Sequence, residues 1–235
     1  MIDTVKGNKM YSVIVSMIDS TKFEKILLPS LHRVRQYLAD KKLPDLQIIA
    51  VSGTEALTKN YNEGLKKAQY RIKFFIHDDI NIMDNADTTV LPLFVKIENL
   101  FNNFPKTGLI GLAGTTGLSN GWWWETPREA IVGHVYMGGN VNQYWKWAAD
   151  KEFYSNVNFI DGMFMSTQLD IPFSEDIVGF HLYDSDYSNL IRQAGYEIKV
   201  INHLVNHDWI NKEFYTDFTH YRKKWKLSDE MLRDY

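Results

Sequence analysis

The chain has 235 residues, 45% of them hydrophobic, which is enough for a sizeable core in one domain. Its net charge of −3 lacks the basic excess of a nucleic-acid-binding surface, so no nucleic-acid partner is expected. The absence of cysteine excludes disulfide frameworks, cysteine-ligated zinc and thiol nucleophiles, and fits a reducing cytoplasm. The opening MIDTVKGNKMYSVIVSMIDS has no basic stretch followed by a long apolar one and reads as the approach to a first strand, not a secretion signal. No apolar run reaches the roughly 20 residues of a membrane-spanning helix. YSVIVSMI (11–18) is a strand covered on both faces. Residues 20–40 carry Phe23, Ile26, Leu27, Leu31, Val34 and Leu38 near helical spacing, with Ser20 or Thr21 as cap and Pro29 as a kink or division. DLQIIAVSG (45–53) is a second strand, residues 56–70 a helix and IKFFIHDD (72–79) a third strand. This β-α-β-α-β order predicts a mostly parallel sheet with helices on its faces.

A further helix is predicted over 88–104 and a glycine-rich strand over 108–114, after which the pattern loosens to residue 158. NFIDGMFMSTQ (158–168) is strand-like, residues 186–196 are a helix stopped at Gly195, and 197–207 are a last strand. The tail reads as a helix with Phe214, Phe218, Tyr221 and Trp225 on one face and Arg222, Lys223, Lys224 and Lys226 beside them. It either packs on the domain or lies on anionic lipid as a peripheral contact. Three carboxylate groups stand out. His77, Asp78 and Asp79 sit at the carboxyl end of a predicted strand, where open parallel sheets gather their working residues. Adjacent carboxylates repel, so a bound cation explains them, with capping of the next segment as the alternative. Asp184 and Asp186 precede a helix, where capping is again an alternative to chemistry. His203, His207 and Asp208 end the last strand. Trp122, Trp123 and Trp124 cannot all face one core, so at least one is exposed or in a loop, where a flat ring suits a sugar face.

Four pieces of the chain, taken in order, resemble family 2 glycosyltransferases of the GT-A fold: NYNEGLKKAQYRIKFFIHDDINIMD, GLIGLAGTTGLSNGWWW, FIDGMFMSTQ and GFHLYDSDYSNLIRQAGYEIKVINHLVNHDW. The similarity is closest to the bacterial group that includes the StrF domains of streptomycin biosynthesis. It implies an α/β GT-A domain over 1–235, with a core about 11–210 and a helical tail 211–235. It further implies a metal-dependent glycosyltransferase, cytoplasmic or membrane-peripheral, in surface glycan or glycoconjugate biosynthesis. Such an enzyme moves a sugar from a UDP, GDP or dTDP donor to a hydroxyl of a glycan or lipid-linked acceptor.

The resemblance also assigns roles. The family's Asp-x-Asp turn reads His77-Asp78-Asp79 here, so Asp79 is the best metal ligand and His77 departs from the pattern, with Asp78 beside them in the donor site. His207 resembles a late His that completes the metal or diphosphate site. The ion is Mn²⁺ or Mg²⁺, and a His ligand tilts the choice toward Mn²⁺. Asp184 takes the place of the family's base, with Asp186 in reserve, and single-base chemistry implies inversion. Ser16, Ile18 and Asp19 stand where the nucleoside docks, Asn60 and Asn62 where relatives approach the nucleotide. Asp161 and Gly162 would hold sugar or acceptor hydroxyls, or form a capped turn, and Trp123 and Trp124 would stack on a sugar or anchor their loop. A nucleotidyltransferase would want a basic, glycine-rich phosphate loop, which VSMIDSTKFEK does not supply. A non-catalytic nucleotide-sugar or glycan-binding domain is the rival that His77 keeps open.

Overall fold

The computed structural model describes residues 11–43, 45–53, 56–82, 92–117, 121–138, 143–147, 153–208 and 218–227. The chain runs β1 (Tyr11–Ser16), α1 (Ser20–Lys22), a π-turn (Phe23–Leu27), α2 (Leu28–Asp40), β2 (Leu46–Val51), α3 (Leu57–Lys67), β3 (Ile72–His77) and β4 (Ile80–Ile82). It continues α4 (Leu93–Asn103), β5 (Thr107–Gly111), β6 (Ala113–Thr115), β7 (Ile131–Met137), β8 (Gln143–Trp147), β9 (Tyr154–Val157), β10 (Phe159–Ile160) and β11 (Phe164–Thr167). Last come α5 (Tyr183–Gln193), β12 (Glu197–Ile201), β13 (Val205–His207) and α6 (Phe218–Trp225). Residues 88–91 of the predicted fourth helix, and Phe214 and residues 228–235 of the tail, lie outside the described residues.

A seven-stranded sheet has the order β2-β1-β3-β11-β5-β12-β9. It is mixed: β1 pairs in parallel with β2 and β3, and β12 with β5, while β11 and β9 enter antiparallel. Alternate residues of one strand feed separate cores, as a sheet covered on both faces requires. Val13, Val15, Phe74 and Ile76 join one apolar cluster with Leu31 of α2 and Phe94 of α4. Ile14 and Phe75 join the other with Tyr61 of α3 and Tyr187 of α5. Gly64 lets α3 approach β1, since a Cβ there would lie 2.1 Å from Ile14 Cγ2. A smaller sheet, β10-β6-β7-β13-β4, with β8 on β7, leans on the first.

The helix expected over 20–40 is interrupted just where Pro29 falls. Proline has no N–H to donate, and the backbone widens into the π-turn, with Leu28 N–H bonding Phe23 O. The cap is Asp19, whose carboxylate accepts from Thr21 N and Lys22 N, in place of the expected Ser20 or Thr21. Three expected strands divide between the sheets: 108–114 into β5 and β6, 158–168 into β10 and β11, and 197–207 into β12 and β13.

Candidate active site

The parallel strands β1 and β3 end at one edge of the large sheet, and antiparallel β11 begins there beside β3, with Phe164 opposite Ile76. The Asp161-Gly162-Met163 turn that precedes β11 is thereby set against His77, whose N–H donates to Met163 O at 3.0 Å. β13 runs antiparallel to β4 with His207 opposite Ile80, and Asp208 N donates to Asp79 O at 3.0 Å. Residues about 130 apart in the chain thus close on one point, where ligand atoms of His77, Asp79 and His207 lie within 4.8 Å of one another.

Asp79 is the centre of this cluster. His207 Nε2 lies 3.3 Å from Oδ1, and Lys22 Nζ donates to Oδ2 at 3.0 Å. Oδ1 is buried yet has no hydrogen-bond partner among the described residues. Burial pushes the Asp79 carboxyl up, but His207, His77 and Lys22 together draw it well below the ordinary carboxylate range. The imidazole of His77 is held down to about 4 by burial, so it is neutral at working pH, as a ligating nitrogen must be. Its Nε2 meets Tyr183 Oη at 2.6 Å, an outer contact of the kind that orients a ligating ring. A buried carboxylate oxygen with no hydrogen bond of good geometry, beside His207 and in one cluster with His77, fits a divalent cation.

Asp184 comes next. Leu182, in the left-handed region at φ 63, turns the chain into α5 and places Asp184 in its first turn, where residue 186 was the expected start. The carboxylate is 7% exposed. Oδ2 accepts from Gly162 N at 3.0 Å and Oδ1 from Ser185 N at 2.8 Å. Burial first, and the Asp161 charge second, still push it up to about 7 against those two donors. Gly162 is obligatory: a Cβ would stand 1.9 Å from Tyr183 Oη. Asp161 caps its own turn by accepting from Met163 N at 2.7 Å, and burial raises its pKa.

Other predicted residues have different surroundings. Asp78 is buried and its Oδ2 accepts from both Ile18 N and Asp19 N at 2.7 Å, so it pins the β1–α1 turn to the site. Ile18 is exposed at that turn, and Asp19 caps α1. Ser16 and Asn60 bond each other at 2.9 Å beneath it. Asn62 faces away: its side chain clamps Phe173 N, Phe173 O and Glu175. Asp186 also leaves the cluster, being 1% exposed and held by Trp225 Nε1 at 2.8 Å and Lys224 Nζ at 3.0 Å. The tryptophan run divides as its crowding requires. Trp123 is 3% exposed, Trp124 is 45% exposed and Trp122 stacks on Phe218 of α6. Trp123 therefore anchors the loop, and Trp124, packed against Trp122 and Trp123, is the most exposed ring of the three. Sequence reasoning passed over Lys22, whose role needs the β1–α1 turn folded back onto Asp79. His181, packed on Trp122 at 5.8 Å, was also passed over.

Helices on both faces of a mixed sheet, with an acidic turn at its carboxyl edge, are the architecture of the GT-A fold. The family model described as a glycosyltransferase-like family matches residues 12–231, and the chain belongs to that family. The fold is shared with GalNAc-T7 crystallised with UDP, GalNAc and Mn²⁺ (TM-score 0.50, 9% identity, 86% of this chain and 44% of that one). Also similar are TarS of S. aureus with UDP-GlcNAc (0.47, 12%, 87% and 60%) and a Drosophila beta-1,4-galactosyltransferase 7 with manganese, UDP-Gal and xylobiose (0.43, 13%, 96% and 80%). No curated protein sequence matches the chain. Among the described residues no helix is long and apolar enough to cross a membrane.

Proposed function

We propose that the protein transfers a hexosyl-type sugar from a nucleoside-diphosphate sugar to a hydroxyl of a glycan or lipid-linked acceptor, inverting the anomeric carbon, in surface glycan or glycoconjugate assembly. The observation that carries this reading is the adjacency of two sites: Tyr183 touches His77 of the His77/Asp79/His207 cluster, and the next residue is the buried carboxylate Asp184. A donor seated against the cluster would present its sugar toward Asp184. His77, Asp79 and His207 would hold Mn²⁺ or Mg²⁺, with two imidazoles favouring Mn²⁺. The bound ion would supply positive charge against the departing diphosphate. Ile18, Asp19, Ser16 and Asn60 line the end of β1, which suits the nucleoside, and Asp161 and exposed Trp124 suit the sugar or acceptor. Asp184 takes the proton of the acceptor hydroxyl. Asp186 and Asn62 serve packing in this reading. Within the family, the four motifs quoted above favour the bacterial group with the StrF domains, acting in the cytoplasm. α6 packs Tyr221 inward and ties Lys224 to Asp176 and Asp186, which favours a helix docked on the domain over one lying on lipid.

The rival reading is a glycan- or nucleotide-sugar-binding domain without turnover. Replacing Asp184 by Asn decides between them. Transfer should collapse by about 10²–10⁴-fold while donor binding survives. Turnover undiminished in that variant removes Asp184 from the base role, and no turnover in the wild type with any donor leaves the binding domain.

A further inference from the structure

Lys22 ends α1, just past the β1–α1 turn that Asp78 fastens to the acidic turn. Its ammonium donates to Asp79 Oδ2 at 3.0 Å and to the Asp208 carbonyl at 2.7 Å, with Asp208 Oδ2 at 3.8 Å, too far for a hydrogen bond. An ammonium has three donors, and those contacts engage two. Asp79 is therefore shared: Oδ1 lies 3.3 Å from His207 Nε2, in the cluster that also holds His77, and Oδ2 faces Lys22. One carboxylate lies between two cation positions, a divalent one and a fixed monovalent one.

We infer that Lys22 is the second cation of the donor site: it holds Asp79 and Asp208 until a diphosphate arrives and gives its third donor to a diphosphate oxygen. This rests on the metal reading above and adds to it a phosphate-contacting residue. It has a consequence of mixed sign. Toward a bare divalent ion Lys22 is a like charge that also cancels part of the Asp79 carboxylate, so it weakens metal binding. Toward a metal–diphosphate complex, whose net charge is negative, it is an attractive charge with a donor to offer. A residue that merely props up the turn would move both affinities the same way.

The test uses the full chain as wild type, Lys22→Met, Lys22→Gln and Lys22→Arg. Binding of Mn²⁺ alone is followed by paramagnetic resonance of the free ion, and binding of Mn²⁺–pyrophosphate by calorimetry, which needs no knowledge of the base. Lys22→Met should bind Mn²⁺ about three- to tenfold tighter and Mn²⁺–pyrophosphate about tenfold or more weaker, with Lys22→Arg near wild type in both. Lys22→Gln carries the same contrast if the methionine variant fails to fold. Affinities that weaken together, or do not move, overturn the role of Lys22 while leaving the metal site standing. A wild type that does not bind Mn²⁺ at all overturns the metal site and this inference with it.

Discussion

A 1.9 Å gap decides the residue at position 162. Any side chain there displaces the Tyr183 ring, and with it the 2.6 Å contact to His77 Nε2. Gly162→Ala should cost about 1–3 kcal/mol by overpacking. For a chain of this length that is a fall of several degrees in Tm, at roughly 2–4 °C per kcal/mol. The same variant should lose Mn²⁺ affinity as His77 loses its orienting partner, and an unchanged Tm would mean the ring has room the structure does not show. Asp184 carries a prediction in pH. Its folded pKa, raised to about 7, lies above the ordinary value of about 3.9. The stability tied to that shift is therefore present in full below about pH 4 and lost as pH rises through about 7. Asp184→Asn avoids the loss, so its Tm relative to wild type should climb between pH 5 and pH 8.5, by the equivalent of about 1–3 kcal/mol. Transfer by the wild type should rise over the same interval, because only the ionised carboxylate accepts a proton. A Tm difference independent of pH would place the Asp184 titration elsewhere.

Among the elements, α6 holds the surroundings of the base through direct contacts. Phe218 stacks on Trp122 at 5.6 Å, Tyr221 Oη accepts from Asn189 of α5 at 3.2 Å, and Trp225 and Lys224 meet Asp186, two residues on from Asp184. The double variant Lys224→Met with Trp225→Phe leaves the Asp186 carboxylate buried without those partners. That should cost about 3–5 kcal/mol, read as a drop in Tm and as earlier proteolytic cleavage in the tail. The Asp186→Leu change added on top should restore much of it, since an apolar group there needs no partner. This pairing also explains what the sequence could not disclose. Asp184 and Asp186 look alike as two acids at the start of a helix, and what separates them is a partner 39 residues later for one and a turn 22 residues earlier for the other. The turn His77-Asp78-Asp79 was legible because strand ends are where a parallel sheet exposes working groups. The splitting of 108–114 and 197–207 was not. Apolar periodicity marks a strand but not which sheet it joins, and the bend at Leu112 and the irregular residues 202–204 are set by long-range pairing.

At the scale of the whole molecule the cluster is a junction. His77 ends β3 of the large sheet, His207 ends β13 of the small one, and Asp79 lies in the turn from β3 to β4, the neighbour of β13. An ion held by all three ties the sheets together, so its binding should stabilise the folded chain globally and not one loop. A ligand at about 100 times its dissociation constant adds about 2.7 kcal/mol, which here should raise Tm by several degrees. The panel is UDP, GDP, dTDP and CDP, each with and without Mn²⁺, on wild type and Asp79→Ala. One nucleotide should give a shift that needs Mn²⁺ and vanishes in the variant, which identifies the base of the donor. Chelation of Mn²⁺ should return the wild type to its unliganded Tm. A shift that persists in Asp79→Ala would move the ion away from Oδ1, the one buried oxygen of the cluster that the described protein leaves without a donor.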